Sequence, residues 1–392
     1  MTQYVTDYSK IITIFVYLKL SSMKLNIERK AFLKAVEDGG RAAGKTTLPL
    51  TLCVKIKLWD NKLMVTSTNN KTFISKRMEI EYTEEPLEFC VEASTLIAVL
   101  KSIKDPQIDL AVENNQLIIA HSKGELQLPT LSASTFPLPR IEGEARQIVV
   151  DAEFLASSLM RASKFIYADK SNDKPVLQCV YCYLSGDNLC VAASDSFIIF
   201  KDSVVYTGNK SEFPADGILI PGEAVPAIVN TVQEEGEIVI KDRERNFSIN
   251  SNGCSIFVTK GEGRYPNLER IFQLPESHAT VKVSEVIDSV KRCALAASTD
   301  MAMYLGCEHD KVKIEAADVI SNKKAKDSFT CSEGLDGRSI TLSATRLSSI
   351  LTALPSDEAD LYIKDNKSIA ALCPIDFPDM RFMIAPLMTT QA

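Results

Sequence analysis

The chain has 392 residues, 45% of them hydrophobic and 24% charged, and a formal net charge of −7. That length exceeds what a single hydrophobic core supports, so two or three domains are expected. The acidic balance excludes adhesion to nucleic acid through the whole surface while leaving room for a local basic face. The ten cysteines lack the dense spacing of a secreted disulfide scaffold, which implies reduced thiols and a cytoplasmic protein.

Residues 1–22 contain IITIFVYLKL, a short apolar run preceded by Lys10. It is too short to span a membrane, and no small-residue cleavage site follows it as a signal peptide requires. Met23 opens MKLNIERKAFLKAVE, a better domain start, so residues 1–22 read as an extension outside the fold. After the helical AFLKAVED comes GGRAAGKTT, Gly39 to Thr47, which fits the phosphate-loop pattern G-x-x-x-x-G-K-[ST]. A phosphate loop needs a strand before it and a helix after it, whose free N–H groups face the phosphates. Here a helix precedes and the strand TLPLTLCVKIKL follows, with Pro49 at its entrance. The match is read as chance, and a P-loop ATPase is kept only as the enzymatic alternative.

Further along, the pattern repeats. AFLKAVED with LPLTLCVKIKLWDNKLMVTSTN, EFLASSLMRASKFI with KPVLQCVYCYLSGDNLCVAASD, and EVIDSVKRCALAAS with MAMYLGCEHDKVKIEAAD each read as a helix followed by a hairpin. The turns WDNK, SGDN and EHDK fall at matching places, with Asp, Asn and Gly supplying turn conformations. Each unit continues into a related half: LEFCVEASTLIAVLKSIKD, GILIPGEAVPAIVNTVQEE and RSITLSATRLSSILTALPS each read as a strand and a short helix ahead of paired strands. A spacing of roughly 120–130 residues is a domain length. The expected fold class is α+β, with three tandem similar domains at 23–146, 147–277 and 278–392, each built of two strand–helix–strand halves. The C-x-x-C pair Cys179 and Cys182 lies in a predicted strand, which sends the two side chains to opposite faces. They read as core cysteines rather than a metal or redox pair. No Ser–His–Asp set, metal cluster or catalytic carboxylate pair stands out, and the chain has three histidines; no cofactor is expected.

The predicted helices carry basic residues at neighbouring positions: Lys30 and Lys34, Lys101 and Lys104, Arg161 and Lys164, Lys291 and Arg292, and Arg346. Only the fourth helix, GEAVPAIVNTVQEE, has none. In an acidic protein this recurrence suggests one cationic surface facing an anionic partner.

Several motifs, in this order, resemble the bacterial sliding clamp family, the beta subunit of DNA polymerase III. GEGRYPNLERIF is similar to the family's G-R-[FY]-P-[DN]-x-x-R-[VI] stretch, and KPVLQCVYCYLSGDNLCVAASD to its P-V-L…G-x-x-L-x-x-x-[AS]-[TS]-D element. KTTLPL resembles R-x-T-L-P-[IL], and HSKGELQLPTLSASTFP resembles S-G-[KR]-…-L-x-T-L-x-x-x-[DE]-F-P. The resemblance runs from Met23 to about Leu387. It implies a non-catalytic processivity factor, a head-to-tail homodimer closing a ring of six similar domains around duplex DNA. The implied contacts with phosphate are independent of sequence. The implied partners are the replicative polymerase subunit, a separate ATP-driven clamp loader and other proteins carrying a peptide similar to Q-L-x-[LM]-F. No membrane partner is implied.

The same resemblance proposes site residues. Lys45, Arg77, Lys174, Lys260, Arg264 and Arg270 match DNA-contacting positions, and Leu126, Leu128 and Leu295 match the dimer interface. The peptide groove would use Leu177, Ser194, Ser196, Phe197, Ile198, Ile199, Pro266, Ile271, Met383, Ala385, Pro386 and Leu387. Two departures stand out. Where the family commonly has T-D-G-H-R-L, this chain reads Ser194-Asp195-Ser196-Phe197-Ile198-Ile199, losing a histidine and an arginine. Its end reads Ala385-Pro386-Leu387-Met388 followed by TTQA, where the family ends like M-P-M-R-L, so a more apolar groove is expected. A clamp-like module that no longer encircles DNA is the other alternative.

Overall fold

In the computed structural model, residues 23–44, 48–169, 173–232, 236–251 and 253–388 are described. The extension read at 1–22 lies outside them. Six helices occur among the described residues: α1 (Arg29–Gly39), α2 (Ala93–Ser102), α3 (Ala152–Ala162), α4 (Val225–Thr231), α5 (Val283–Ala294) and α6 (Ala344–Leu351). Five of them continue directly from a strand, and a single 3-10 turn separates Ile218–Pro221 from α4. Their faces follow the helical period. α1 buries Phe32, Ala35, Val36 and Gly39, and α5 buries Val286, Ser289, Val290 and Cys293. At the start of α3, the Asp151 carboxylate accepts the Phe154 N–H at 2.7 Å, satisfying one of the free donors of the first turn.

The three hairpins are two-residue turns closed by Trp59 with Lys62, Ser185 with Asn188, and Glu308 with Lys311. Asp60, Asn61 and Gly186 take the left-handed conformation as expected; in the third turn His309 supplies it instead (φ 47°).

Strand pairing adds something the repeat did not contain. The strand that opens each half-unit joins the sheet of the other half. Met23–Glu28 pairs with Gln107–Glu113 while Leu87–Glu92 pairs with Cys53–Trp59. Likewise Arg146–Asp151 pairs with Glu237–Asp242 and Ile218–Pro221 with Cys179–Ser185. Ala279–Lys282 pairs with Glu358–Tyr362 and Ser339–Ser343 with Ala302–Glu308.

The chain divides into two compact units. The first holds residues up to Glu144 together with Asn246–Thr259, and the second holds Ala145–Arg245 and the chain from Lys260 onward. Within the first unit, Cys254–Thr259 pairs antiparallel with Thr72–Glu79. Within the second, Ile198–Val205 pairs with Arg381–Ile384 to make an eight-stranded sheet ordered Ile218–Pro221, Cys179–Ser185, Asn188–Ser194, Ile198–Val205, Arg381–Ile384, Ala370–Pro374, Glu358–Tyr362, Ala279–Lys282. Each unit thus contains one joint where strands far apart in sequence unite two sheets edge to edge. Two other strands end their four-stranded sheets: Gly124–Pro129 in the first unit and Lys323–Thr330 in the second.

The glycine-rich stretch answers to packing. Gly39 closes α1 against the strand Lys62–Thr68, where an added Cβ would come within 2.6 Å of the Val65 carbonyl oxygen. The N–H groups of Gly40, Ala42, Ala43 and Gly44 bond to Val36 O, Ser67 Oγ, Gly40 O and Thr51 O, so none of these four is free for a phosphate. Lys45, Thr46 and Thr47 lie outside the described residues, and the next element is a 3-10 turn and then a strand. Helix, loop, strand is the order, as the sequence implies.

At the joint of the second unit, Phe165, Phe200 and Phe382 are fully buried with ring centroids 5.1–5.9 Å apart. Phe382→Ala is expected to destabilise this unit by about 3–5 kcal/mol through lost burial and a residual cavity. Chemical denaturation checks it, and a loss under about 1 kcal/mol would contradict a core role for the joint.

Candidate functional site

The second unit presents its most distinctive surface where Ser194–Ile198 turns between two strands. The Asp195 carboxylate accepts the N–H groups of Phe197 (2.8 Å) and Ile198 (2.6 Å), and Ser194 Oγ accepts the Ser196 N–H (3.1 Å). Ser196 sits at φ 85°, a conformation that disfavours any side chain and is held by these bonds. The turn pushes Phe197 outward, leaving it 46% exposed. Its carbonyl accepts the Ala385 N–H at 2.8 Å, and Leu387 N–H bonds to Thr341 O at 2.8 Å, so the C-terminal segment is laced alongside the turn.

Beside this lies an apolar cluster on one face of the eight-stranded sheet. Cys179, Ala192, Ile199, Leu219, Ala371, Cys373 and Met383 come from the strands, and Tyr265, Leu268 and Phe272 from the segment crossing them. Leu177 and Ile271 pack against it half-buried. Three tyrosines, Tyr183, Tyr181 and Tyr265, stack in series at 4.7 and 4.8 Å. Burial lifts the Tyr265 and Tyr183 hydroxyls well above their usual range.

Of the proposed groove residues, Leu177, Ile199, Ile271 and Met383 therefore meet in one cluster, and Phe197, Ala385, Pro386 and Leu387 form the adjoining lip. Pro266 is exposed next to Tyr265. Two candidates lie apart from the cluster. Ile198 pairs with Ile384 and is buried on the opposite sheet face from Ile199, because neighbouring residues in a strand alternate. Ser194 is buried and bonded within the turn, so it shapes the lip rather than lining it.

One side chain at this lip escaped the sequence reading. Arg346, read as part of the recurring cationic helix surface, places its guanidinium carbon 3.6 Å from the Phe197 ring centroid. Nothing in the helical spacing distinguishes it from the other basic residues. Arg161, grouped with the same surface, instead lies over the Phe377 ring at 5.9 Å. Arg292 is paired with Asp327, Lys34 with Asp38 and Lys101 with Glu37, while Lys104 falls beyond the end of α2. Lys30, Lys104, Lys164 and Lys291 remain exposed without an ion pair among the described residues.

The DNA-contact candidates separate similarly. Lys45 lies outside the described residues. Arg77 is exposed with Glu79 at 3.9 Å, and Arg264 and Arg270 are exposed. Lys174 reaches the Ser196 hydroxyl at 3.2 Å and lies over the Tyr167 ring. Lys260 is committed to the buried Asp242 carboxylate at 3.0 Å, an internal ion pair rather than a free surface charge. Among the interface candidates Leu295 is 80% exposed, whereas Leu128 is 7% exposed and belongs to the core of the first unit, with Leu126 packed against it. Cys179 and Cys182 are both buried, and burial pushes the Cys182 thiol up to about 12, far from the thiolate that metal or redox chemistry requires.

Residues 23–140 match the family model described as the DNA polymerase III beta subunit, N-terminal domain. The beta sliding clamp of Rickettsia felis is 23% identical over 380 residues, covering 91% of this chain and 96% of that protein. Over nearly its whole length the chain is thus similar to the bacterial beta sliding clamps, at an identity of 23%. The crystal structure of the DNA polymerase III subunit beta from Pseudomonas aeruginosa superposes with a TM-score of 0.86 at 18% identity, covering 94% of this chain and all of that one. The sliding clamp of Bartonella birtlesii, solved bound to griselimycin, gives 0.87 at 18% identity, again over 94% of this chain and all of that one. The clamp fold is therefore shared almost end to end.

If the cluster and lip form one binding groove, Leu387→Ala should weaken a Q-L-x-L-F peptide about 5- to 30-fold, as loss of a partly buried anchor contact does. Phe197→Asp should weaken it at least as much. Fluorescence anisotropy measures both, with sedimentation as the control for assembly; equal affinities would remove Leu387 and Phe197 from the groove.

Proposed function

We propose that the chain is a DNA polymerase processivity factor, a non-catalytic clamp that encircles duplex DNA and tethers its partners through the groove of the second unit. Three domains, 23–146, 147–277 and 278–392, would make half of a six-domain ring in a cytoplasmic replication complex. No helix among the described residues is long and apolar enough to cross a membrane.

The carrying observation is the edge-to-edge joint and its repetition. Thr72–Glu79 with Cys254–Thr259, and Ile198–Val205 with Arg381–Ile384, each fuse two sheets. The strands Gly124–Pro129 and Lys323–Thr330 end their sheets with outward backbone groups unpaired by any described strand. An open edge is a template for another strand, and two different edges on one chain favour a head-to-tail contact that closes on a second copy. Leu126 and Leu295 supply apolar contacts beside such edges. The exposed Lys30, Lys104, Lys164, Lys291, Arg264 and Arg270 are the cations available to phosphates, whose sequence-independent attraction permits sliding. Polymerase, loader and other partners would compete for the groove. Loading would fall to a separate ATPase, since the stretch around Gly39 is built for packing.

The edge offers a clean test. In the hairpin closed by His121 and Gly124, alternation places the Gln127 N–H away from Gln116–His121, toward the free edge. Gln127→Pro removes that outward donor while keeping the internal ladder. Sedimentation velocity should show the wild-type dimer replaced by a folded monomer, and an unchanged dimer would rule out this edge as the contact.

A further inference from the structure

Arg346 stands on the first turn of α6, a turn with no acidic residue and no side-chain cap, so the positive end of the helix is uncompensated there. Its guanidinium carbon is 3.6 Å above the Phe197 ring. At that separation the cation lies over the ring face. A phenyl ring has no lone-pair acceptor for the guanidinium's N–H fork, so those donors stay available to a carboxylate. Among the described residues Arg346 has no hydrogen bond or ion pair, although it is half-buried. The nearest carboxylate in sequence to Phe197, that of Asp195, is already engaged with two backbone N–H groups. A second cation, Lys174, reaches Ser196 in the same turn. The lip of the apolar groove thus carries two positive groups and an unfilled planar donor fork.

We propose that Arg346 is a specificity-determining residue that selects partner peptides bearing a carboxylate next to their apolar anchors, with Phe197 holding the guanidinium in the receiving orientation. This rests on the groove reading above. A planar fork matches a carboxylate bidentately, and the half-buried setting strengthens the pairing relative to a fully solvated one. Peptide binding then combines apolar side chains over Leu177, Ile271 and Met383 with one charge-assisted contact at the rim. A neutral residue in the same place would leave the guanidinium as it is, without gain.

The test uses the full chain and a positional scan of an acetylated, amidated Q-L-x-L-F peptide extended by two residues on each side. Asp is placed in turn at each non-anchor position, with Asn as its paired control, and fluorescence anisotropy gives the affinities. Wild type should favour Asp over Asn about tenfold at one position or more. Arg346→Gln should bring that ratio to about one; because the readout is a ratio of paired peptides, a change common to both cancels. Arg346→Lys should retain only part of the preference, having charge without the fork. Binding with no Asp preference in wild type, or with the same preference in Arg346→Gln, overturns the proposal alone. Failure of every peptide to bind wild type overturns the groove reading and this inference with it.

Discussion

A strand at the edge of a sheet exposes a row of unpaired backbone donors and acceptors, and this architecture depends on what happens to those edges. Inside each unit one pair of edges is consumed by joining two sheets, at Thr72–Glu79 with Cys254–Thr259 and at Ile198–Val205 with Arg381–Ile384. Backbone pairing is indifferent to side-chain identity, so a joint of this kind survives extensive sequence change. What the side chains add is a sealed interior, as with Phe200 and Phe382 behind the second joint. A shared fold at 18% identity is the expected consequence.

The same joint positions the proposed groove. Ile199 and Met383 face each other across it and contribute to the apolar cluster, while the next pair, Ile198 with Ile384, faces the other way. The turn that precedes Ile198 is organised by Asp195, whose carboxylate fixes two N–H groups and so dictates that Phe197 projects outward. An exposed aromatic ring beside an arginine is a stable local arrangement, with the cation lying over the negative face of the ring. A few residues therefore organise this surface: Asp195 sets the turn, Phe197 carries Arg346, and Leu387 is held by a backbone bond to Thr341.

Much of this was legible beforehand, for identifiable reasons. Helical period and turn chemistry located the six helices and the three hairpins, because those signals are local. The exchange of opening strands between half-units was not legible, since periodicity fixes which face of a strand is buried but not which neighbour it pairs with. His309 took a left-handed position for which Asp, Asn or Gly was expected, so the geometry of the turn outweighed residue preference. The apolar candidates Leu177, Ile199, Ile271 and Met383 converge on one sheet face, whereas Ile198 lies on the other, a separation that only the strand register reveals. Charge was the least legible feature. Arg161, Arg292 and Arg346 read as parts of one cationic surface and Lys260 as a DNA contact implied by resemblance, yet each is engaged by a ring or a carboxylate elsewhere in the chain.

Ring closure through the edges Gly124–Pro129 and Lys323–Thr330 is the proposal on which the functional reading stands. Negative-stain imaging of the purified protein, with particles averaged without imposed symmetry, tests it directly. A closed, six-lobed ring with a central opening wide enough for duplex DNA is expected. Crescents or compact monomers at concentrations where the chain is folded would contradict it, keeping the fold and the groove but denying that the protein encircles anything.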